Sequence, residues 1–177
     1  MASKLTQPLY LITDGSTLRL EQTLVARIEQ ALAGAAGAIG CVQLREQVGE
    51  TPATDSEVLA LAEALKPLCE KYNAKLILNS NIALSKSPPF DGVHLGARSE
   101  SIAAARATLP KDKIIGYSAH GVDEALDALS QGADYVFLSP IYLPLSKPDS
   151  HKPLGLGPLR ELSHKTEKIV YALGGID

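Results

Sequence analysis

Seven short apolar runs, most of them closing on polar residues, alternate with helix-forming stretches along these 177 residues. They cover residues 9–13, a run ending at 42–46, then 76–79, 92–96, 114–120, 135–140 and 169–173. Near-continuous apolar strands are what a parallel sheet requires, because helices cover both of its faces. The strict alternation with short connections predicts that sheet. An open doubly wound sheet and a closed barrel share the pattern. However, the first run leads into Asp14-Gly15-Ser16 with no GxGxxG after it, so dinucleotide binding has no support. The even spacing of the units favours a barrel, which gathers its chemistry at the C-terminal ends of the strands. A closed barrel of this kind needs eight strands. Only seven are read here, and the chain stops at Gly174-Gly175-Ile176-Asp177.

The intervening segments carry helical stripes. Leu20, Leu24, Ile28, Ala31 and Leu32 form the first, ended by the region 34–40. Thr54 or Asp55 is placed to cap the second, with Val58, Leu61, Ala62, Leu65 and Leu68 on its apolar face. Pro67 in that stripe predicts a kink or a late turn. Ser101 is placed to cap a helix bearing Ile102, Ala105 and Leu109; the next carries Val122, Ala125, Leu126 and Leu129 and closes at Gly132. A Pro/Ser/Lys loop spans 142–153, and a short helix is expected at 158–163.

Composition narrows the partners. A formal net charge of -3 and the absence of Trp argue against a nucleic-acid binder, which usually carries a basic patch and often aromatic platforms. No apolar run approaches the roughly 18 residues of a membrane helix. Residues 1–7 show no signal-peptide core. Cys41 and Cys69 make neither a metal spacing nor a disulfide framework, so two buried thiols are expected. The expectation is one cytoplasmic domain over 1–177 with a small-molecule phosphate ligand, no nucleic acid and no membrane; homo-oligomer formation is left open.

The motifs are more specific together than singly. Leu9-Tyr10-Leu11-Ile12-Thr13-Asp14, Gln43-Leu44-Arg45-Glu46, Asp91-Gly92-Val93-His94-Leu95-Gly96 and Ile115-Gly116-Tyr117-Ser118-Ala119-His120 occur in order. Gly132-Ala133-Asp134-Tyr135-Val136, Pro153-Leu154-Gly155-Leu156 and Leu173-Gly174-Gly175-Ile176 follow. In this the chain resembles the thiamine phosphate synthase/TenI family over nearly its whole length. The resemblance implies an α/β fold of the TIM (β/α)8-type barrel, here without the eighth strand and its helices. It also implies one of two activities: joining a pyrimidine diphosphate to thiazole phosphate, or, in the TenI branch, tautomerising the thiazole phosphate carboxylate.

The resemblance assigns residues too. Gln43 and Arg45 match family positions that grip the pyrimidine diphosphate, with Gln47 in place of a lysine. Asn79 matches, but Ser80 stands where synthases place a Mg²⁺-binding Asp, and Ser99 where they place a second acid, with Ala97 before it. The Thr-x-Thr-Lys loop becomes Pro144-Leu145-Ser146-Lys147, and Gly174-Gly175 matches a phosphate-binding turn. Mg²⁺ is normally held through carboxylates, and a departing diphosphate needs its charge neutralised. Neutral serines at both positions therefore predict weak or absent condensation.

The first expectation is accordingly TenI-like, metal-free proton transfer through His120, whose ordinary pKa suits both donation and acceptance. Arg45 and Lys147 would hold carboxylate or phosphate, Ser146 would keep one hydroxyl, and Gln43, Asn79 and Ser118 would orient the ring. No cofactor is expected, with Mg²⁺ only if synthase activity persists. The alternatives are a thiamine-phosphate synthase and a non-catalytic ligand-binding paralogue. Plainer readings stand beside these: a rim ion pair for Arg45 and Glu46, a strand-end turn for Asn79, and backbone satisfaction for Ser118. Lys147 could be a solvated charge, His94 a satisfied interior histidine, and His151 and His164 surface residues.

Overall fold

The computed structural model describes residues 5–13, 21–45, 53–143 and 152–176. Glu46, Gln47, Ser146, Lys147 and His151, named above, lie outside the described residues. The elements follow the expected alternation: β1 (Leu9–Ile12), α1 (Glu21–Gly34), β2 (Ile39–Leu44), α2 (Asp55–Lys71), β3 (Lys75–Asn79), α3 (Ile82–Ser85), β4 (Gly92–Leu95), α4 (Ile102–Thr108), β5 (Ile114–Ala119), α5 (Val122–Ser130), β6 (Tyr135–Leu138), α6 (Leu156–Lys165) and β7 (Ile169–Ala172). Sheet order equals chain order, β1 to β7. A doubly wound sheet reverses its order at a switch point; this one does not. The chain divides into two compact units, Met1–Val93 with Leu109–Lys113, and His94–Thr108 with Ile114–Asp177.

In the first unit β1, β2 and β3 pair in parallel, with Leu11 beside Val42 and Val42 beside Leu76. All six residues of β2 are buried, as a strand covered on both faces must be. Leu24, Ile28 and Leu32 of α1 and Val58, Leu61, Ala62 and Leu65 of α2 join Val42, Leu44, Leu76 and Leu78 in one core. Thr54 caps α2 reciprocally: its side chain accepts the Glu57 N–H, and the Glu57 carboxylate accepts the Thr54 N–H. That capping box satisfies two backbone donors at the helix start. Pro67 lies little more than a turn from the end of α2, on its exposed side, and the helix continues to Lys71. Both cysteines are buried, and burial pushes the Cys69 thiol up to about 12 and the Cys41 thiol up as well.

In the second unit β5, β6 and β7 pair in parallel, Gly116 beside Tyr135 and Tyr135 beside Ile169. Ala125 and Ala128 of α5 are buried together with Ile115, Val136 and Leu138. The Ser101 hydroxyl accepts the Ala104 N–H at the start of α4. Helix α6 is four residues longer than its sequence suggested, two at each end. Its N-cap is Gly155, at φ 72° and without a side-chain cap. Nothing in Gly155-Leu156-Gly157 signals a helix start, so the sequence places that boundary two residues late. Among the described residues no helix is long and apolar enough to cross a membrane.

Candidate functional site

Each unit gathers polar side chains at the C-terminal ends of its strands. In the first, Gln43 is 2% exposed. Register places Gln43 beside Ile77, so Asn79, two residues on, shares its face. Gln43 Nε2 donates to Asn79 Oδ1 at 2.8 Å, and Asn79 Nδ2 donates to Ser80 Oγ at 3.0 Å. Gln43 Oε1 is buried without a hydrogen-bond partner. Leaving such an acceptor unmet costs about 1–3 kcal/mol, which marks the atom as waiting for a donor.

Beyond Asn79 the backbone is strained. The Asn81 N–H donates to Asn79 O at 2.8 Å, closing a three-residue turn around Ser80, whose φ is 63°. A non-glycine residue there is uncommon, and strain of this kind clusters at functional sites. Arg45 follows the last residue of β2, its N–H donating to Thr13 Oγ1 at 2.9 Å while the Thr13 N–H donates to Gln43 O. Thr13, read in the sequence only as the end of a strand, is thus a buried clasp that sets where Arg45 leaves the sheet.

In the second unit His94 is 3% exposed. Its Nδ1 lies 3.0 Å from Tyr135 Oη and its Nε2 lies 2.8 Å from Ser118 Oγ. Burial pushes its pKa down to about 3, so the ring is neutral at ordinary pH. It is the interior histidine the sequence suggested. The sequence did not reveal that its partner is Ser118, which bonds this ring and not a strand-end backbone group. Tyr135 enters the sequence reading only as part of a strand motif, with no role of its own; its pairing rests on a register that sets it opposite Gly116.

His120 is exposed at the end of β5, with Nδ1 2.9 Å from Ser139 O. A carbonyl oxygen only accepts, so Nδ1 donates in this bond. The Glu124 carboxylate accepts the His120 N–H at 2.7 Å and the Tyr117 hydroxyl at 3.0 Å, fixing the turn that presents the imidazole.

The glycines also fall where close approach demands them. Gly174 and Gly175 have φ of 96° and 62°, and a Cβ on either would lie within 2.8 Å of Pro140 or 2.6 Å of the Leu143 carbonyl, respectively. Successive backbone N–H groups in such turns suit an anion.

The family's magnesium positions are a different matter. Ser80 Oγ accepts from Asn79, and Ser99 Oγ accepts the Gly96 N–H at 3.1 Å in a small local turn. Neither supplies charge, and among the described residues no three His, Cys, Asp or Glu side chains converge. These two positions do not fit a carboxylate-held Mg²⁺.

Parallel strands in unbroken order, with polar groups at their C-terminal ends, define an α/β protein of the TIM-barrel class. The family model described as thiamine monophosphate synthase matches residues 9–177. The thiamine-phosphate synthase of Clostridium novyi is 36% identical, covering 96% of this chain and 79% of the relative. That of Clostridium acetobutylicum is 37% identical, covering 96% and 76%. Among solved structures, the thiamine phosphate pyrophosphorylase from Pyrococcus furiosus superimposes with a TM-score of 0.74 at 28% identity, covering 99% of this chain and 78% of that one. The chain belongs to the thiamine monophosphate synthase family, a family of thiamine biosynthesis.

Proposed function

We propose that this protein is a synthase-type transferase that takes hydroxymethylpyrimidine diphosphate and joins it to thiazole phosphate. The sequence alone favoured tautomerisation; the names of the relatives favour condensation. One atom carries the choice. The buried, unpartnered Gln43 Oε1 calls for an N–H donor. An aminopyrimidine brings one on its exocyclic amine, whereas a thiazole carboxylate phosphate has none.

In the reaction the bond between the pyrimidine methylene and the diphosphate oxygen breaks, and pyrophosphate leaves with the bonding pair. The lone pair of the thiazole nitrogen forms the new C–N bond. Gln43 and Asn79 orient the pyrimidine. Without acids at 80 and 99, neutralising the departing diphosphate falls to Arg45 and Lys147, so turnover is slow. The test is incubation with both substrates, following thiamine phosphate. Measurable formation that falls at least tenfold in Gln43→Met supports the reading. Binding of the pyrimidine unchanged by that substitution sinks it.

A second reading rests on His120. Its Nδ1 N–H donates to Ser139 O and holds the ring at the end of β5, and an imidazole suits proton transfer on a thiazole. Conversion of the thiazole tautomer by the parent protein and not by His120→Ala, with no condensation, would replace the first reading with this one.

A further inference from the structure

We propose that Glu124 is a positioning residue for His120, and that Tyr117, on the helix-facing side of β5, acts on the same imidazole through it. One carboxylate brackets the middle of β5, the turn that follows it and the first turn of α5. What His120 does chemically rests on the proton-transfer reading above; how its ring is held does not.

The local sequence leaves this turn in need of a clasp. Helix α5 starts after Gly121, which supplies no side chain to cap it. In a capping box the third helical residue reaches back to the amide of the cap residue itself. Glu124 is that third residue, but its Oε2 accepts the His120 N–H at 2.7 Å, one position earlier. Its other oxygen is engaged as well: Oε1 accepts the Tyr117 hydroxyl at 3.0 Å. Ser118 meets the buried His94, so strand alternation turns Tyr117 to the opposite face, towards α5. Burial, and then the bond to Glu124, raise the Tyr117 pKa, so the phenol keeps its proton and stays a donor.

A helix cap alone would need one oxygen. Here both are used, and the ring end of His120 is held too. His120 Nδ1 donates to Ser139 O at 2.9 Å, and the Ser139 N–H donates to Ala119 O. The residue is thus gripped at its amide from α5 and at its ring from the end of β6, although it is exposed. An exposed histidine otherwise samples several rotamers, and fixing one of them costs entropy at the moment of reaction. Holding the ring beforehand removes that cost. Asp123 lies in the same first turn and shares its charge, but it is exposed and is the acceptor of neither bond. It serves as the control for a plain helix-start effect.

The test uses the whole protein labelled with ¹⁵N-histidine, with His120→Gln to assign the signals. At about pH 8, above the ordinary titration of an imidazole, the parent should show His120 Nδ1 as a protonated nitrogen. Glu124→Ala should move that signal towards the average of a ring that exchanges its proton between both nitrogens. Tyr117→Phe should move it the same way by less, and the double variant no further than Glu124→Ala. Glu124→Gln keeps an acceptor for the amide and can donate to the phenol oxygen, so it should restore the parent signal. A bare Nδ1 in the parent, an unmoved signal in Glu124→Ala, or an equal shift in Asp123→Ala overturns the proposal. Should Glu124→Ala not fold, Tyr117→Phe decides, and an unmoved signal there overturns it. Conversion of the thiazole tautomer is followed in parallel. Its kcat should fall about tenfold in Glu124→Ala with a parent-like KM, the worth of one hydrogen bond. If the parent converts nothing, the proton-transfer reading falls, and the nitrogen signals still decide the positioning.

Discussion

Asp91 and Asp134 occupy equivalent stations in the two units. Asp91, just before β4, accepts the Leu76 N–H at the start of β3 and pairs with Lys66 of α2. Asp134, just before β6, accepts the Ile115 N–H at the start of β5 and pairs with Arg106 of α4. Each also returns a backbone bond, Asp91 N–H to Leu76 O and Asp134 N–H to Ile115 O. A helix cation, a strand-start amide and a carboxylate thus recur as one structural unit at the N-terminal ends of the strands, where barrel residues serve stability more than chemistry.

Removing these carboxylates should cost stability without touching the site. The Asp91 and Lys66 side chains are 20% and 23% exposed, against 41% for Asp134. Asp91→Ala is therefore expected to cost about 1–3 kcal/mol. Asp134→Ala should cost roughly half as much, because solvent screens the more exposed carboxylate. Urea unfolding of the two variants checks the order.

Acid should destabilise the fold through His94. Its pKa is about 3 in the folded protein against 6.5 as the ordinary value, so between those limits the unfolded chain binds more protons. Stability is then full above pH 6.5 and falls as pH drops, by about 1.4 kcal/mol per pH unit from this group. Stability curves from pH 7 to 4 should be flatter in His94→Gln than in the parent; parallel curves would show that another group dominates.

Position 80 should accept an acid. Asp tolerates the left-handed conformation at φ 63° better than Ser does. Ser80→Asp is expected to hold the melting temperature within a few degrees, corresponding to about 1 kcal/mol. It should also give condensation activity that rises with added Mg²⁺. The readout is thiamine phosphate formation with and without the ion.

The glycine turn should be intolerant of substitution. Gly174→Ala places a methyl 2.8 Å from Pro140 at a φ of 96°, a clash and a strained backbone together. A loss of roughly 1–3 kcal/mol is expected, with weakened binding of thiazole phosphate, measured by calorimetry.

The strands were legible because they are buried on both sides: Gly92-Val93-His94-Leu95 and Tyr135-Val136-Phe137-Leu138 show no exposed position. Their ends shifted by a residue or two because Arg45, Gly96 and His120 follow the last ladder residue of β2, β4 and β5 without joining the strand. The helix caps Thr54 and Ser101 were readable from residue type and spacing. The site was legible as residue types and not as partners. Gln43 meets Asn79 across 36 residues, and His94 meets Ser118 across 24 and Tyr135 across 41. Such pairings depend on strand register, which no local periodicity encodes. The same holds for Thr13 and for Gly116 opposite Tyr135. The first functional expectation leaned on two missing acids; the orphaned oxygen of Gln43 becomes visible only once its surroundings are in place.

The stretch after β6 is stitched on both flanks. Ile141 and Tyr142 donate to Leu173 O and Gly174 O, while Leu154 and Gly155 donate to Pro140 O and Ile141 O. The departure and the return of the excursion between them are therefore pinned to the same short segment. All four bonds run from main chain to main chain, so exchanging the side chains of Ile141, Tyr142 or Leu154 should leave both anchor points in place.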